Sequence, residues 1–255
     1  HPYVKSGKAL AKIIEYCGPA VEALSIDERA TMTNMAAEVG GFTGIVAPDA
    51  RTAEFLMLHR SMSRSQAEAL CEGWQSDPDA EFAETLEFDA SAMEPIVATP
   101  GDPGNGITIA KLDGPVKVDI AYGGSCTAGK REDMDMYARV LADALAAGRR
   151  VHPDVKFFIQ YGAQDVKQYC IEKGYAEIFE RAGVLIVEPS CGACINAGPG
   201  ASSSKDQVVI SAQNRNFPGR SGPGQMYLAS PLTVAASAIE GHVAPYLGAV
   251  VGSTR

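Results

Sequence analysis

Three short pieces of this 255-residue chain carry side chains whose types and spacing could do chemistry. They are Ser125-Cys126-Thr127 after two glycines, Cys191-Gly192-Ala193-Cys194 after an apolar stretch, and Asn214-Arg215-Asn216-Phe217-Pro218-Gly219-Arg220. A single Cys-x-x-Cys is shared by zinc sites and redox pairs. Zinc asks for a fourth ligand, and His59, His152 and His242 all lie away from ligand spacing to Cys191. A redox pair would leave Cys126 without a role. Three thiolates suit a cubane cluster better, because glycine-rich turns supply backbone donors to the sulfides and one iron stays open. An open iron acts as a Lewis acid on a hydroxyl and a carboxylate. Arg215 and Arg220, with Asn214 beside them, could hold a carboxylate there, or they are plain surface charge.

Those pieces need a scaffold that brings them together. Val116–Tyr122 alternates as a strand and runs into Gly123-Gly124-Ser125-Cys126. A helix follows with Met134, Tyr137, Val140, Leu141 and Leu145 on one face. A strand over 155–161, a helix over 164–173, the apolar strand 184–187 and a strand over 207–212 continue the alternation. Ser230-Pro231 announces a last helix as N-cap and first-turn proline. Strands alternating with helices, several apolar on both faces, predict an α/β fold with a mostly parallel sheet covered on both sides. Ligands collect beyond the carboxyl ends of such strands, where Cys126, Cys191 and Asn214 fall.

The first part of the chain reads as a separate α/β domain over 1–112, with the cluster domain over 113–255. A helical start precedes Ile13-Ile14-Glu15-Tyr16. Ser25 and Glu28 form a capping-box pattern opening a helix through Met32, Met35 and Ala36 that stops at Gly40-Gly41. Gly44–Ala47 reads as a short strand, 52–74 as helical and Thr85–Phe88 as a strand. The Pro- and Gly-rich segment 94–107 reads as a linker.

Composition bounds the function. With 46% hydrophobic residues the chain can bury a real core. A net charge of −9 argues against nucleic acid or an anionic membrane surface as partner. No apolar run approaches a membrane span. Six cysteines are too few and irregular for a disulfide framework, so a reducing cytoplasmic setting is expected. Cys17, Cys71 and Cys170 read as ordinary packing residues, and His242 as a capping or packing histidine. The start, His1-Pro2-Tyr3-Val4-Lys5, has neither an initiator methionine nor a signal-peptide profile. It reads as a processed chain or as a piece of something longer.

Four motifs in order resemble the aconitase and isopropylmalate isomerase (3-isopropylmalate dehydratase large-subunit) family. They are Thr33-Asn34-Met35-Ala36-Ala37-Glu38, Gly124-Ser125-Cys126-Thr127, Cys191-Gly192-Ala193-Cys194 and the Asn214–Arg220 turn. Ala47-Pro48-Asp49 and Phe217–Gly222 are more similar to the isopropylmalate isomerase branch. The resemblance implies aconitase-like iron-sulfur domains, three-layer α/β/α with mostly parallel sheets. It implies that Cys126, Cys191 and Cys194 hold a [4Fe-4S] cluster, that Asn34 and Asn214 lie beside it, and that Glu38 helps handle the substrate hydroxyl. Arg215 and Arg220 would bind carboxylates of a hydroxy di- or tricarboxylate, in a hydro-lyase reaction. Without the resemblance, Asn34 and Glu38 are a surface pair four residues apart on one helix face. One departure stands out: Ala128 occupies a position where the family usually has Asn. The family's amino-terminal domain and its small swivelling domain, or small subunit, have no counterpart here, so the chain alone is expected to be inactive. A cluster-binding module that has lost turnover is the alternative reading.

Overall fold

The computed structural model describes residues 6–248, so residues 1–5, read above for targeting signals, lie outside it. The chain divides into two compact units that change over between Met93 and Glu94.

In the first unit, β1 (Ile13–Glu15) and β2 (Thr43–Ile45) pair in parallel, Ile13 opposite Thr43. The helical start expected before Ile13 is instead a run of turns over 6–11. The helix Ile26–Asn34 opens on the expected capping box: Ser25 Oγ accepts from the Glu28 N–H, and the Glu28 carboxylate accepts from the Ser25 N–H. The α-helix closes at Asn34 and tightens to a 3₁₀ turn over Met35–Val39, ended by Gly40 at φ 80°. The stretch 52–74 is two helices, Ala50–Arg60 and Arg64–Cys71, broken at Ser61, whose φ is 52°. Ser63 recaps the second by exchanging hydrogen bonds with Gln66. Residues 85–88 form no strand among the described residues.

The second unit holds a seven-stranded sheet, in the order β4-β3-β9-β8-β5-β6-β7. Its strands are β3 (Ile96–Ala98), β4 (Gly106–Thr108), β5 (Ile120–Gly124), β6 (Lys156–Gln160), β7 (Leu185–Val187), β8 (Val208–Ser211) and β9 (Gln225–Ala229). The five from β9 to β7 run parallel, while β3 pairs antiparallel with both β9 and β4. The segment expected as a linker is therefore a hairpin on the sheet edge. Its prolines and glycines serve the turn between β3 and β4 rather than a joint, and the boundary expected near 113 falls at 93/94.

The main core combines Ala121, Phe157, Ile159 and Ile210 of the sheet with residues from four helices: Arg131–Ala146, Gln164–Glu172, Tyr175–Ala182 and Pro231–Glu240. Alternate strand residues, Ile120, Val209, Met226 and Leu228, form a smaller cluster with Phe158 against the other face. The strand expected over 116–122 is displaced, since Lys117 instead bridges to His242 beyond the last helix. All five residues of β5 are buried.

The chain order explains where a site can form. From β5 it moves outward through β6 to β7, then returns to the opposite side of β5 for β8 and β9. That reversal opens a crevice at the carboxyl ends of β5 and β8. Cys126 follows β5 and Asn214 follows β8.

Candidate metal centre

The Cys126 turn is built by close approach. Gly124 has φ 106°, and a Cβ there would lie 2.0 Å from the Gln160 carbonyl oxygen. Ser125 also sits at positive φ, 71°, unusual for a side-chain-bearing residue. The buried Tyr137 hydroxyl accepts from the Gly124 N–H at 3.0 Å and donates to the Ala128 carbonyl at 3.1 Å, closing the turn around Cys126. Lys130 binds the Thr127 carbonyl and pairs with Asp133 at 3.1 Å. Cys126 emerges from this frame exposed.

The second cysteine piece leaves β7 through Glu188-Pro189-Ser190 and winds into a 3₁₀ turn over Gly192–Ile195. Cys191 is exposed and Cys194 half-buried. The neighbouring segment packs tightly: a Cβ on Gly200 would meet the Tyr122 ring at 2.2 Å.

The third piece begins after β8 with buried Gln213, Asn214 and Asn216. Asn216 Nδ2 donates to the Thr99 and Met226 carbonyls, at 2.8 and 3.1 Å, and so ties the turn to the sheet. Arg215 and Arg220 are half-buried. Ser221 Oγ donates to Gln213 Oε1 at 3.2 Å. Arg220 Nε and Gln213 Nε2 are buried donors with no acceptor among the described residues. A buried N–H left so is costly, and it fits an oxygen acceptor supplied from outside the chain.

These pieces converge on Cys194. Burial pushes its thiol up from the ordinary value. A hydrogen bond with Ser125 and the charge of Arg220 pull the other way, and the Cys126 and Cys191 thiols push further up. Cys126, Cys191 and Arg220 thus each lie within electrostatic reach of Cys194. All six cysteines are free thiols, and Cys170 is buried as expected while Cys17 is exposed and Cys71 half-buried. Among the described residues no three His, Cys, Asp or Glu side chains close on a single metal ion. A cubane makes a different demand, because its thiolate ligands attach to separate iron corners. Three thiols with no carboxylate or imidazole among them, near glycine-rich backbone, fit an iron-sulfur cluster by donor type.

The structure places Asn34 and Glu38 in the first unit. The helix face expected to carry both is interrupted: exposed Asn34 ends the α-helix, and half-buried Glu38 lies in the 3₁₀ turn. Sequence reasoning missed Gln160, Tyr122 and Gln213. The available signal was a glutamine closing the apolar run Phe157-Phe158-Ile159 at a strand's carboxyl end.

Comparison with known proteins decides the lineage. The aconitase (aconitate hydratase) family model matches residues 3–115 and 111–241. The chain belongs to the aconitase family. It is 37% identical over 238 residues to the 3-isopropylmalate dehydratase large subunit of Aquifex aeolicus, covering 92% of this chain and 53% of that protein. It is 39% identical over 241 residues to the 3-isopropylmalate dehydratase large subunit 1 of Pyrococcus furiosus, covering 92% and 53%. The chain therefore spans about half the length of the curated relatives it matches.

Proposed function

We propose that this chain is the cluster-bearing part of an iron-sulfur hydro-lyase that dehydrates and rehydrates a hydroxy di- or tricarboxylate, most like the 3-isopropylmalate dehydratase large subunit. The observation that carries the reading is that Cys126, Cys191 and Arg220, from three separate segments, all act on the Cys194 thiol, with the buried Arg220 Nε lacking an acceptor among the described residues. When bound, a [4Fe-4S] cluster would supply a Lewis-acid position for the substrate's hydroxyl and carboxylate.

The chain's own residues do the rest of the work assigned here. Cys126, Cys191 and Cys194 hold the cluster. Arg220 and Arg215 grip a carboxylate with the fixed fork of a guanidinium, which lysine cannot reproduce. Asn214, buried at the start of the same turn, orients the same group. Asn34 and Glu38 join the proposal through the family resemblance alone, Glu38 as the residue that delivers a proton to the departing hydroxyl oxygen. The base for the carbon-bound proton is assigned to a further domain or small subunit. Exposed apolar side chains such as Phe42, Leu58 and Trp74, at 80%, 74% and 71%, suit a chain that is covered by more protein. Among the described residues no helix is long and apolar enough to cross a membrane. Six free thiols suit a reducing cytoplasm.

Anaerobic reconstitution with ferrous iron and sulfide tests the reading. It expects a brown chain with iron and sulfide in cluster proportion, and hydration of unsaturated di- or tricarboxylic acids only once the remaining domains are supplied. A colourless chain with no sulfide uptake sinks it, and robust turnover by the 255 residues alone sinks the claim that further domains are needed.

A further inference from the structure

Gln160 is a fully buried polar residue at the carboxyl end of β6, lying between Gly124 of β5 and Val187 of β7. Its backbone is the surface against which Gly124 packs, two residues before Cys126. Its side chain links β5 to the segment that follows β7. Nε2 donates to Ser190 O and Ser190 Oγ, both at 2.8 Å, and lies 3.3 Å from Glu188 O. Oε1 accepts from the Tyr122 hydroxyl at 2.8 Å. The two carbonyls can only accept, which fixes the amide nitrogen toward them and the oxygen toward Tyr122. One residue thus abuts the segment entering the first cysteine and grips the residue immediately before the second.

Resting on the reading of the three thiols as cluster ligands, we propose that Gln160, held by Tyr122, is a positioning residue. It fixes the Ser190–Cys194 loop against the Cys126 turn before any cluster is bound. The residue type follows from the partners. Glutamate could accept from Tyr122 but could not donate to Ser190 O. Leucine would strand both partners in the interior, where a broken polar network is costly. Asparagine is one methylene too short. Ligands set in advance by such an outer partner lose little order when the group arrives.

The test uses the metal-free 255-residue chain and Gln160→Glu, Gln160→Leu and Tyr122→Phe, with folding followed by circular dichroism. Iodoacetamide labelling of Cys191 and Cys194 is read by mass spectrometry against Cys17 as internal reference, and iron and sulfide uptake is read after anaerobic reconstitution. The expected result is folded variants whose half-buried Cys194 labels faster relative to Cys17, by about tenfold, the opening that loss of one buried hydrogen bond brings, while the already exposed Cys191 changes less. Sulfide uptake should fall with it. Tyr122→Phe, which removes a single oxygen, should move both readouts in the same direction and carries the test if the Gln160 variants do not fold. Unchanged labelling overturns the proposal. So does faster labelling with undiminished uptake, which would leave Gln160 a merely structural residue. If the unmutated chain takes up no sulfide, the cluster reading fails, while the labelling ratio still reports whether Gln160 holds the loop.

Discussion

Tyr137 and Gly123 are in such close registry that a Cβ on the glycine would sit 2.6 Å from the tyrosine ring. The bare strand end lets the Tyr137 hydroxyl reach both sides of the Cys126 turn, accepting from Gly124 N–H and donating to Ala128 O. A core residue of the long helix thereby governs the shape of the turn that presents Cys126.

Tyr137→Phe keeps the ring and removes that brace. Two backbone groups lose their partner in a buried setting, at about 1–3 kcal/mol for each one left unsatisfied. Urea unfolding should show a loss of roughly 2–6 kcal/mol. A loss below about 0.5 kcal/mol, the range of ordinary surface changes, would mean the turn does not depend on it.

In the first unit, Asp49 does two jobs. It caps the helix Ala50–Arg60 and pairs with the nearly buried Arg29 at 2.9 and 2.6 Å. Asp49→Ala should cost roughly 2–4 kcal/mol, through a lost cap and a guanidinium left in the interior. The hydrogen bond from Arg29 holds the Asp49 carboxyl below its ordinary value. Its stabilising effect is therefore present above the usual carboxylate range and fades as pH falls through the depressed value. Acid titrations of wild type and Asp49→Ala should converge at low pH, and parallel curves would contradict the pairing.

Single serine replacements of Cys126, Cys191 and Cys194 should each abolish the brown colour after reconstitution, whereas Cys71→Ser and Cys170→Ser should retain it. Visible absorbance with iron and sulfide analysis decides the matter. A normal cluster in Cys191→Ser would remove that residue from the ligand set.

Within a fully assembled enzyme, Arg215→Lys and Arg220→Lys should lower kcat/KM by about one to two orders of magnitude with the cluster spectrum unchanged. Glu38→Gln should act mainly on kcat. Near-normal kcat/KM for both lysine variants on every di- and tricarboxylate tried would reduce the arginines to surface charge.

Cys170 gives a pH test independent of any metal. Burial, reinforced by nearby Asp135, raises its thiol to about 12 from an ordinary 9.0. A neutral thiol favoured by the fold stabilises fully below pH 9, and that contribution is lost as pH rises toward 12, by up to about 1.4 kcal/mol per pH unit. Unfolding free energies at pH 8 and pH 11 should fall less steeply for Cys170→Ala than for wild type. Equal slopes would show that the thiol is not held neutral.

Local chemistry made parts of this fold legible in advance. Ser25 with Glu28 and Ser230 with Pro231 each carry their capping partner within three residues, and both helices begin there. The cysteine and Asn-Arg-Asn pieces fall beyond strand ends because the apolar runs before them are parallel strands. What depended on distant partners stayed hidden. Ile96–Ala98 is a strand because β9 and β4 flank it, information absent from a segment full of proline and glycine. Thr85–Phe88 has strand-like residues and no partner, so nothing recruits it. Arg64–Cys71 is a separate helix because Ser63 and Gln66 form a second capping box, a pattern present in the sequence but masked by the surrounding helical periodicity. Gln160 owes its buried place to Tyr122 and Ser190, partners far from it in sequence that bind the two ends of its amide.

The order of the sheet also has a consequence in time. A chain emerging amino end first produces β5, β6 and β7, and with them all three clustered thiols, before β8 exists. Until residues 208–211 arrive, one flank of the central strand is bare and Arg220 is not yet made. A nascent chain therefore carries its three thiols on an unfinished sheet for the span of translation between Cys194 and β8. In that interval the bare edge of β5 is open to a chaperone or to a wrong strand, and it closes when β8 pairs with it.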